Sequence, residues 1–289
     1  MFRKYQQPIT AEDRVIIGIG DSYTQGVGAY TKETWDRHNG KIDVFDYRDE
    51  LLVEQYQNSW VNQLAIKLGY KSINLGHAGT GNRAAVKELY FYPDVLDNVK
   101  DAVVIYFLSG LERFDFINKD QAQEHHHFFA MWPNPWDKNA SNKKLWEAYA
   151  ESIHSEKFVA LELMINLLDA QTYCRARGFR LIVAPAFDVR INRKWITDQI
   201  LNNPMQSDLK EEIVDQFDWS QFYVTEGYTT FMEMLCDLEG RRDLAPGGFY
   251  SHFCSKPYPS RYITNCAHPA LEGHTYIANE FYKVITKNK

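Results

Sequence analysis

The stretch of this sequence with the most evident chemical potential is VIIGIGDSYTQGVG, which runs from Val15 to Gly28. An apolar run ends abruptly in glycines, and Ser22 follows the break. A serine in this place either caps a helix or acts as a nucleophile at the end of a strand. Because a serine hydroxyl is a poor nucleophile at neutral pH, the second role requires a base from elsewhere in the chain.

Nucleotide binding is the first alternative that this stretch raises. The letters GIGDSY begin like a glycine-rich dinucleotide loop, but Tyr23 stands where the third glycine is needed for tight packing of helix against strand. A phosphate loop of the form GxxxxGK[ST] is absent from the sequence. Both observations argue against a nucleotide site.

Strand and helix signals alternate along the rest of the chain. Short apolar runs predict four strands, in RVIIGI, KSINLG, DAVVIYFL and FRLIVAPAF. Helices are predicted in SWVNQLAIKLG, between an N-cap at Ser59 and a stop at Gly69, and in NRAAVKELYFYPDVLDNV, interrupted at Pro93. Further helices are predicted near 209–217 and 229–238 and in HPALEGHTYIANEFYKVI.

The longest predicted helix covers KLWEAYAESIHSEKFVALELMINLLDAQTYCRARG. We place Leu161, Ile165 and Leu168 on one of its faces and expect Gly178 to end it. A long helix of this kind suits the outer layer of an α/β domain.

The alternation predicts a single domain over residues 1–289, with a three-layer α/β/α architecture and a mostly parallel, flavodoxin-like sheet. Residues 109–143 fit no repeating unit, and we expect an aromatic-rich insertion over the active edge there. Ligands of such sheets bind at the carboxyl ends of the strands. We therefore expect Ser22, Gly79, Ser109–Glu112 and Asp188, which each follow a predicted strand, to meet at one edge.

Three segments resemble the signature blocks of the SGNH (GDSL-type) hydrolases: GDSYTQG, INLGHAGTGN and NCAHPALEGHTYIA. They occur in the family's order and span residues 14 to about 285, nearly the whole chain. The resemblance implies an esterase in which Ser22 is the nucleophile and His268 moves its proton. It assigns the oxyanion hole to the backbone N–H groups of Ser22 and Gly79 together with an asparagine side chain.

The third block of the family departs from this pattern. Gly-x-Asn is expected after the third strand, but the segment here reads FLSGLERFDF, and we place Leu111 at the asparagine. Asn82 is the nearest substitute donor, with capping of the following helix as its alternative role. Glu112 and Arg113 either form a structural ion pair, or Arg113 contacts an anionic group of the substrate.

The acid of the triad departs as well. The family usually has aspartate three residues before the histidine, and that position is Asn265. An amide can orient an imidazole but does not stabilise imidazolium as a carboxylate does. Ser22 and His268 then act as a dyad, or a carboxylate arrives from elsewhere. Asp188 is the first candidate, with a loop cap as its alternative, and a dyad predicts that Asn265→Asp keeps or raises activity.

Bulk properties restrict the partners. The net charge of -6 provides no field that would gather nucleic acid, and no run of about 18 apolar residues indicates a membrane span. The N-terminal 14 residues lack signal-peptide features, and the four scattered cysteines predict reduced thiols in a cytoplasmic protein. Cys266 is an exception to watch, because it lies two residues before His268. No metal or organic cofactor is implied.

The aromatic-rich insertion and the polar composition bear on the substrate. We expect hydrolysis of a small-molecule or glycan ester, with a small acyl group on a carbohydrate favoured over a lipid. Trp132 and Trp136 either stack on a sugar or an acyl chain or hold down their own loop, and His125–His127 suit a solvated loop better than a metal site. A non-catalytic glycan-binding protein on a degenerate scaffold and an acyltransferase remain alternatives, and the oligomeric state is open.

Overall fold

A central sheet of parallel strands organises the molecule. The computed structural model describes residues 8–42, 46, 48–117, 128–131, 140–152, 154–201, 213–245, 248–256 and 258–287. The strands are β1 (Arg14–Gly20), β2 (Lys71–Asn74), β3 (Asp101–Leu108), β4 (Phe114–Ile117), β5 (Phe128–Met131) and β6 (Arg180–Pro185). The sheet has the all-parallel order β2–β1–β3–β6, and β4 pairs with β5 as a separate antiparallel hairpin.

Helices connect the strands and cover both faces of the sheet. They are α1 (Ser22–Gln25), α2 (Lys32–Arg37), α3 (Asp49–Asn58), α4 (Trp60–Leu68), α5 (Asn82–Phe91), α6 (Pro93–Leu96), α7 (Ala140–Ser152), α8 (Glu156–Arg177), α9 (Arg193–Leu201), α10 (Phe231–Leu238), α11 (Phe249–Cys254) and α12 (Leu271–Lys287). Short 3-10 turns cover Trp219–Gln221 and Arg242–Leu244.

The alternation of side chains along the strands produces two hydrophobic layers. In β1, Val15, Ile17 and Ile19 belong to the layer that contains α5, α8 and α9. Ile16 belongs to the opposite layer, with the buried faces of α4, α10 and α12. The protein therefore has the three-layer α/β/α fold expected from the sequence.

Local signals account for the ends of the helices that pack on this sheet. The hydroxyl of Ser59 accepts the N–H of Asn62 at the start of α4, and Gly69 ends that helix with a φ of +71°. Both roles were predicted from the sequence. In the final helix α12, Ile277 and Phe281 are fully buried against the sheet, as their spacing of four predicts.

The long predicted helix before β6 is instead two helices, α7 and α8. Ser155 begins α8 by accepting the N–H of Phe158, which ends the continuity of the pattern. The predicted face is also wrong, since Ile165 is 51% exposed while Leu163 and Leu167 are buried. Apolar residues surround α8 on most sides, so their spacing alone does not select the buried face.

The described part of the insertion includes the β4–β5 hairpin. Asp115 of β4 accepts the N–H groups of Gly81 and Ala84 at 2.7 and 2.9 Å, and it supplies the cap that α5 lacks at its own N-cap, Gly81. Burial raises the pKa of this carboxyl to about 6, against the lowering effect of these two hydrogen bonds. The hairpin is thereby tied to the turn before α5.

The histidine run His125–His127 and the indoles Trp132 and Trp136 lie outside the described residues. The helix predicted near 209–217 lies partly outside them, and residues 213–216 are helical. Within the part that the structure describes, no helix combines the length and the apolar character that crossing a bilayer requires.

Candidate active site

The loops after β1, β2 and β3 meet at the carboxyl edge of the sheet, where the order of connections reverses between β1 and β3. The turn after β2 lies against the end of β1, because the carbonyl of Gly20 accepts the N–H of His77 at 3.1 Å and the hydroxyl of Thr80 at 3.4 Å. Ser22 follows β1 at this edge, and Ser109 follows β3 directly.

Ser22 and His268 are in hydrogen-bonding contact across 246 residues of sequence. The Oγ atom of Ser22 lies 2.8 Å from Nε2 of His268. The other ring nitrogen, Nδ1, lies 2.8 Å from the backbone carbonyl oxygen of Cys266. A carbonyl oxygen only accepts, so Nδ1 carries the proton and Nε2 is left as the acceptor of the Ser22 hydroxyl. This is the tautomer that a general base needs.

The position of Ser22 is fixed by its predecessor. Asp21 is the N-cap of α1, and its carboxylate accepts the N–H of Tyr23 at 3.0 Å. Ser22 is therefore the first residue of the helix and does not cap it. Its own N–H lies in the first turn of α1, where no intrahelical acceptor exists, and none is found elsewhere among the described residues.

His268 is held by the turn that precedes it. Ala267 has a φ of +61°, a left-handed conformation that is rare for a residue with a side chain, and it separates Cys266 from His268. Tyr23 fixes this turn by donating its hydroxyl to the carbonyl of Ala267 at 2.8 Å. Gly28 packs beneath it, because a Cβ there would collide with the carbonyl of Pro269.

Burial keeps the imidazole neutral. The pKa of His268 is lowered to about 4, mainly by desolvation and also by the guanidinium of Arg113, while the Cys266 carbonyl and the Asp21 carboxylate act in the opposite direction. At pH 7 the free side chain is consequently a neutral base, ready to take a proton from Ser22.

Asn265 does not take the place of the missing acid. Its side-chain amide donates to the backbone carbonyl of Gly40 at 2.6 Å, while the Cys266 carbonyl is bonded to Nδ1 of His268. The orienting group is therefore a main-chain atom one residue further along. Sequence reasoning missed this contact, because every residue has a backbone carbonyl and only the fold decides which one faces the imidazole.

This contact reverses the expectation for Asn265→Asp. A carboxylate has no N–H to donate and would face the Gly40 carbonyl oxygen, so we expect a loss of about 1–3 kcal/mol of unfolding free energy and lower esterase activity. Urea unfolding and kcat/KM on a small ester measure the two effects, with Asn265→Ala as an uncharged control. A variant more active than the wild type at unchanged stability would show that the carboxylate reaches the imidazole.

Asn82 is engaged with the main chain of Ser109. Its amide nitrogen donates to the Ser109 carbonyl at 3.1 Å, and its oxygen accepts the Ser109 N–H at 2.8 Å. The N-cap of α5 is Gly81, so Asn82 is not the cap. It clamps the loop after β3 through its oxygen and one of the two N–H donors of its amide. Counted from Gly110, the asparagine of the third block falls on Glu112, and Leu111 is buried.

Asp188 has the structural role that was its alternative. It accepts the N–H of Leu111 at 3.1 Å and the guanidinium of Arg190 at 2.8 Å, and Arg190 also pairs with Glu112 at 2.7 Å. These contacts join the loops after β3 and β6. The described bonds of Asp188 therefore do not bring it to His268.

Arg113 pairs with Asp21 and not with Glu112. The two charges lie 2.7 Å apart, the Asp21 carboxylate is completely buried, and the hydroxyl of Ser109 donates to the same oxygen at 3.0 Å. Arg113 also donates to the carbonyl of Thr80 at 2.9 Å. This ion pair ties together the loops after β1, β2 and β3 directly behind Ser22.

The turn that carries Gly79 is positioned by two buried glutamines that the sequence did not reveal. Gln25 accepts the N–H of Ala78 at 2.6 Å and donates to Gln55 at 2.8 Å. Gly79 has a φ of +83° and is partly exposed, and no acceptor among the described residues takes its N–H. A free N–H on a pinned turn beside β1 suits the oxyanion role that the resemblance assigns to it.

No protein-family model and no curated protein sequence matches this chain. Among solved structures, it resembles a lipolytic protein of the G-D-S-L family from Desulfitobacterium hafniense, at 13% identity and a TM-score of 0.44, over 93% of this chain and 98% of that one. It also resembles an acetyl xylan esterase from the rumen bacterium Butyrivibrio proteoclasticus, at 11% identity and a TM-score of 0.45. That match covers 98% of this chain and 65% of the esterase. Likeness at this distance identifies neither an activity nor a substrate.

Proposed function

We propose that this protein hydrolyses carboxylic esters through an acyl intermediate on Ser22. The observation that carries the proposal is the 2.8 Å contact between the Ser22 hydroxyl and Nε2 of His268, whose other nitrogen is held by a carbonyl that fixes the tautomer. A serine with a base in hydrogen-bonding reach, and a third group that orients the base, is the arrangement of nucleophilic catalysis.

The reaction follows from these contacts in two matched steps. Oγ of Ser22 attacks the ester carbonyl carbon while its proton passes to Nε2 of His268, and the carbonyl oxygen becomes an oxyanion beside the N–H groups of Ser22 and Gly79. His268 then protonates the departing alkoxide, which leaves as the alcohol. Water repeats the sequence on the acyl-serine and releases the acid.

We expect a modest rate. The Cys266 carbonyl provides the correct tautomer, but its dipole stabilises imidazolium less than the full charge of a carboxylate would. The buried Asp21 carboxylate does not make up this difference, because Arg113 compensates its charge. Ser22 is only 3% exposed, which favours a small acyl group over a long one.

A non-catalytic binding protein is the second candidate. The low exposure of Ser22 and the absence of a carboxylate on the described bonds of His268 favour it, since both would also suit a scaffold that has lost its chemistry.

Labelling with a fluorophosphonate probe separates these two functions. We expect one adduct, mapped by peptide sequencing to Ser22 and lost in Ser22→Ala, because this is the one hydroxyl in the described part of the chain whose contacts include an adjacent base. Cys266→Ala is the matched control. The thiol of Cys266 contacts the hydroxyl of Thr264 at 3.0 Å, and the substitution keeps the main-chain carbonyl. An adduct on Cys266, or no adduct from pH 5 to 9, would reject the acyl-serine mechanism.

A further inference from the structure

A groove of about 550 Å³ lies beside the segment that carries His268. This volume falls within the range of about 300–1,000 Å³ that small-molecule sites occupy. Its walls include the rings of Tyr30, Trp35 and Tyr258 and the charged side chains of Arg261 and Glu272. None of these residues takes part in the chemistry described above.

Both chain segments that form the groove run next to His268. One wall begins at Ala270, two residues after His268. The other begins at Tyr30, whose N–H donates to the carbonyl of Gly28 at 2.8 Å, and a Cβ at Gly28 would lie 3.4 Å from Cβ of His268. Because His268 protonates the leaving alkoxide, the alcohol part of an ester departs on the histidine side. The groove is therefore placed to hold the alcohol part of a substrate and not its acyl group.

Part of the groove is lined by aromatic rings. Tyr30 and Trp35 are buried and meet edge to face, with ring centroids 5.4 Å apart. The hydroxyl of Tyr30 accepts a hydrogen bond from the amide of Gln55, which holds the ring from inside. Tyr258 is 56% exposed and provides a free ring at the rim. Of these three rings, that of Tyr258 has the exposed face that can pack against the C–H surface of a sugar ring.

The charges of the groove are balanced in sign. Lys32 and Asp36 form an ion pair at 2.5 Å, and Arg261 and Glu272 add one charge of each sign. An anionic ligand would meet Asp36 and Glu272, and a plain alkyl chain would desolvate four charged groups without replacing their hydrogen bonds. A neutral polyol satisfies both signs, since each hydroxyl group donates and accepts.

We propose that this groove binds the sugar of an acylated carbohydrate, so that the substrate is an ester of a neutral glycan with a small acid. The orientation of the substrate, with its alcohol part beside His268, rests on the proposed esterase function. The choice of a sugar as ligand rests on the rings and the balanced charges of the groove.

Two acetate esters with different alcohols test the proposal. Acetylated xylotetraose has a glycan alcohol that we expect to occupy the groove, whereas the alcohol of ethyl acetate is too short to occupy it, and both reactions release acetate. Tyr258→Ala removes a stacking ring, and Arg261→Ala removes a charged hydrogen-bond donor. We expect each variant to lower kcat/KM for the acetylated oligosaccharide about tenfold or more. The value for ethyl acetate is expected to stay within about twofold.

Matched controls lie outside the groove. Tyr250 is 51% exposed on α11, and Arg14 is half-exposed at the opposite edge of the sheet. Tyr250→Ala and Arg14→Ala should change neither substrate. Equal losses on both substrates in the groove variants, no loss on either, or a selective loss on hexyl acetate would overturn the choice of a glycan.

Binding to the Ser22→Ala protein separates this proposal from the esterase function. Saturation-transfer NMR with unacetylated xylotetraose should show contact that Tyr258→Ala removes, whether or not the wild type cleaves any ester. Contact without hydrolysis would reject the esterase and keep the glycan groove. Hydrolysis of ethyl acetate without detectable contact by xylotetraose would keep the esterase function and reject the glycan groove.

Discussion

Replacement of His268 by alanine is expected to lower kcat on a small acetate ester by about 10³–10⁴-fold, because it removes the only base in contact with the Ser22 hydroxyl among the described residues. Ser22→Ala should lose as much or more. The double variant should lose no more than Ser22→Ala alone, since the two groups act as one unit. His252→Ala on α11 is the control and should keep the wild-type rate.

The pH profile provides an independent readout of the same residue. The base must be neutral, and burial lowers the pKa of His268 to about 4, so kcat/KM should rise with pH through about 4 and then remain level through neutrality. A midpoint near the ordinary histidine value of 6.5 would mean that the imidazole is solvated in the working enzyme. More than a tenth of the wild-type kcat in His268→Ala would reject the mechanism outright.

Arg113→Met is expected to destabilise the fold by about 3–5 kcal/mol, because it leaves the completely buried carboxylate of Asp21 without its countercharge. Urea unfolding measures this loss. Arg14→Met is the matched control, since the Arg14–Asp101 pair is more than half exposed and should contribute at most about 1 kcal/mol.

A double-mutant cycle identifies the cause of the loss. Asp21→Asn keeps the oxygen that caps α1 and removes the charge, so Asp21→Asn combined with Arg113→Met should recover much of the stability. Arg113 also lowers the pKa of His268, and its removal should move the acid limb of the activity profile upward in pH. Additive stability losses would show that Asp21 and Arg113 are not coupled to each other. An unshifted acid limb would show that the pair is not coupled to His268.

The strands and the three-layer architecture follow from the sequence because both depend on local or strongly patterned signals. A run such as DAVVIYFL is apolar on both faces, as a central parallel strand must be, and β3 is that strand. The contact between Ser22 and His268 was expected from the family resemblance, and the two side chains lie 2.8 Å apart.

The supporting contacts could not be assigned, since they depend on atoms that carry no sequence signature. The amide of Asn265 faces the carbonyl of Gly40, 225 residues earlier, and that of Asn82 faces the main chain of Ser109. Either asparagine has the right chemistry for the role predicted for it. Only the path of the backbone decides which donor or acceptor each one meets.

The carbonyl behind His268 has a consequence for how this site responds to genetic variation. Every amino acid at position 266 brings the same oxygen, so replacements that fit the space of the thiol and keep the N–H bonded to Thr264 should be largely silent for catalysis. Loss-of-function substitutions should instead concentrate at position 267, where the left-handed conformation admits few residues apart from glycine, asparagine and the resident alanine. A screen for loss of function would thus point to a residue whose side chain has no chemistry, and would overlook the neighbour whose main chain does.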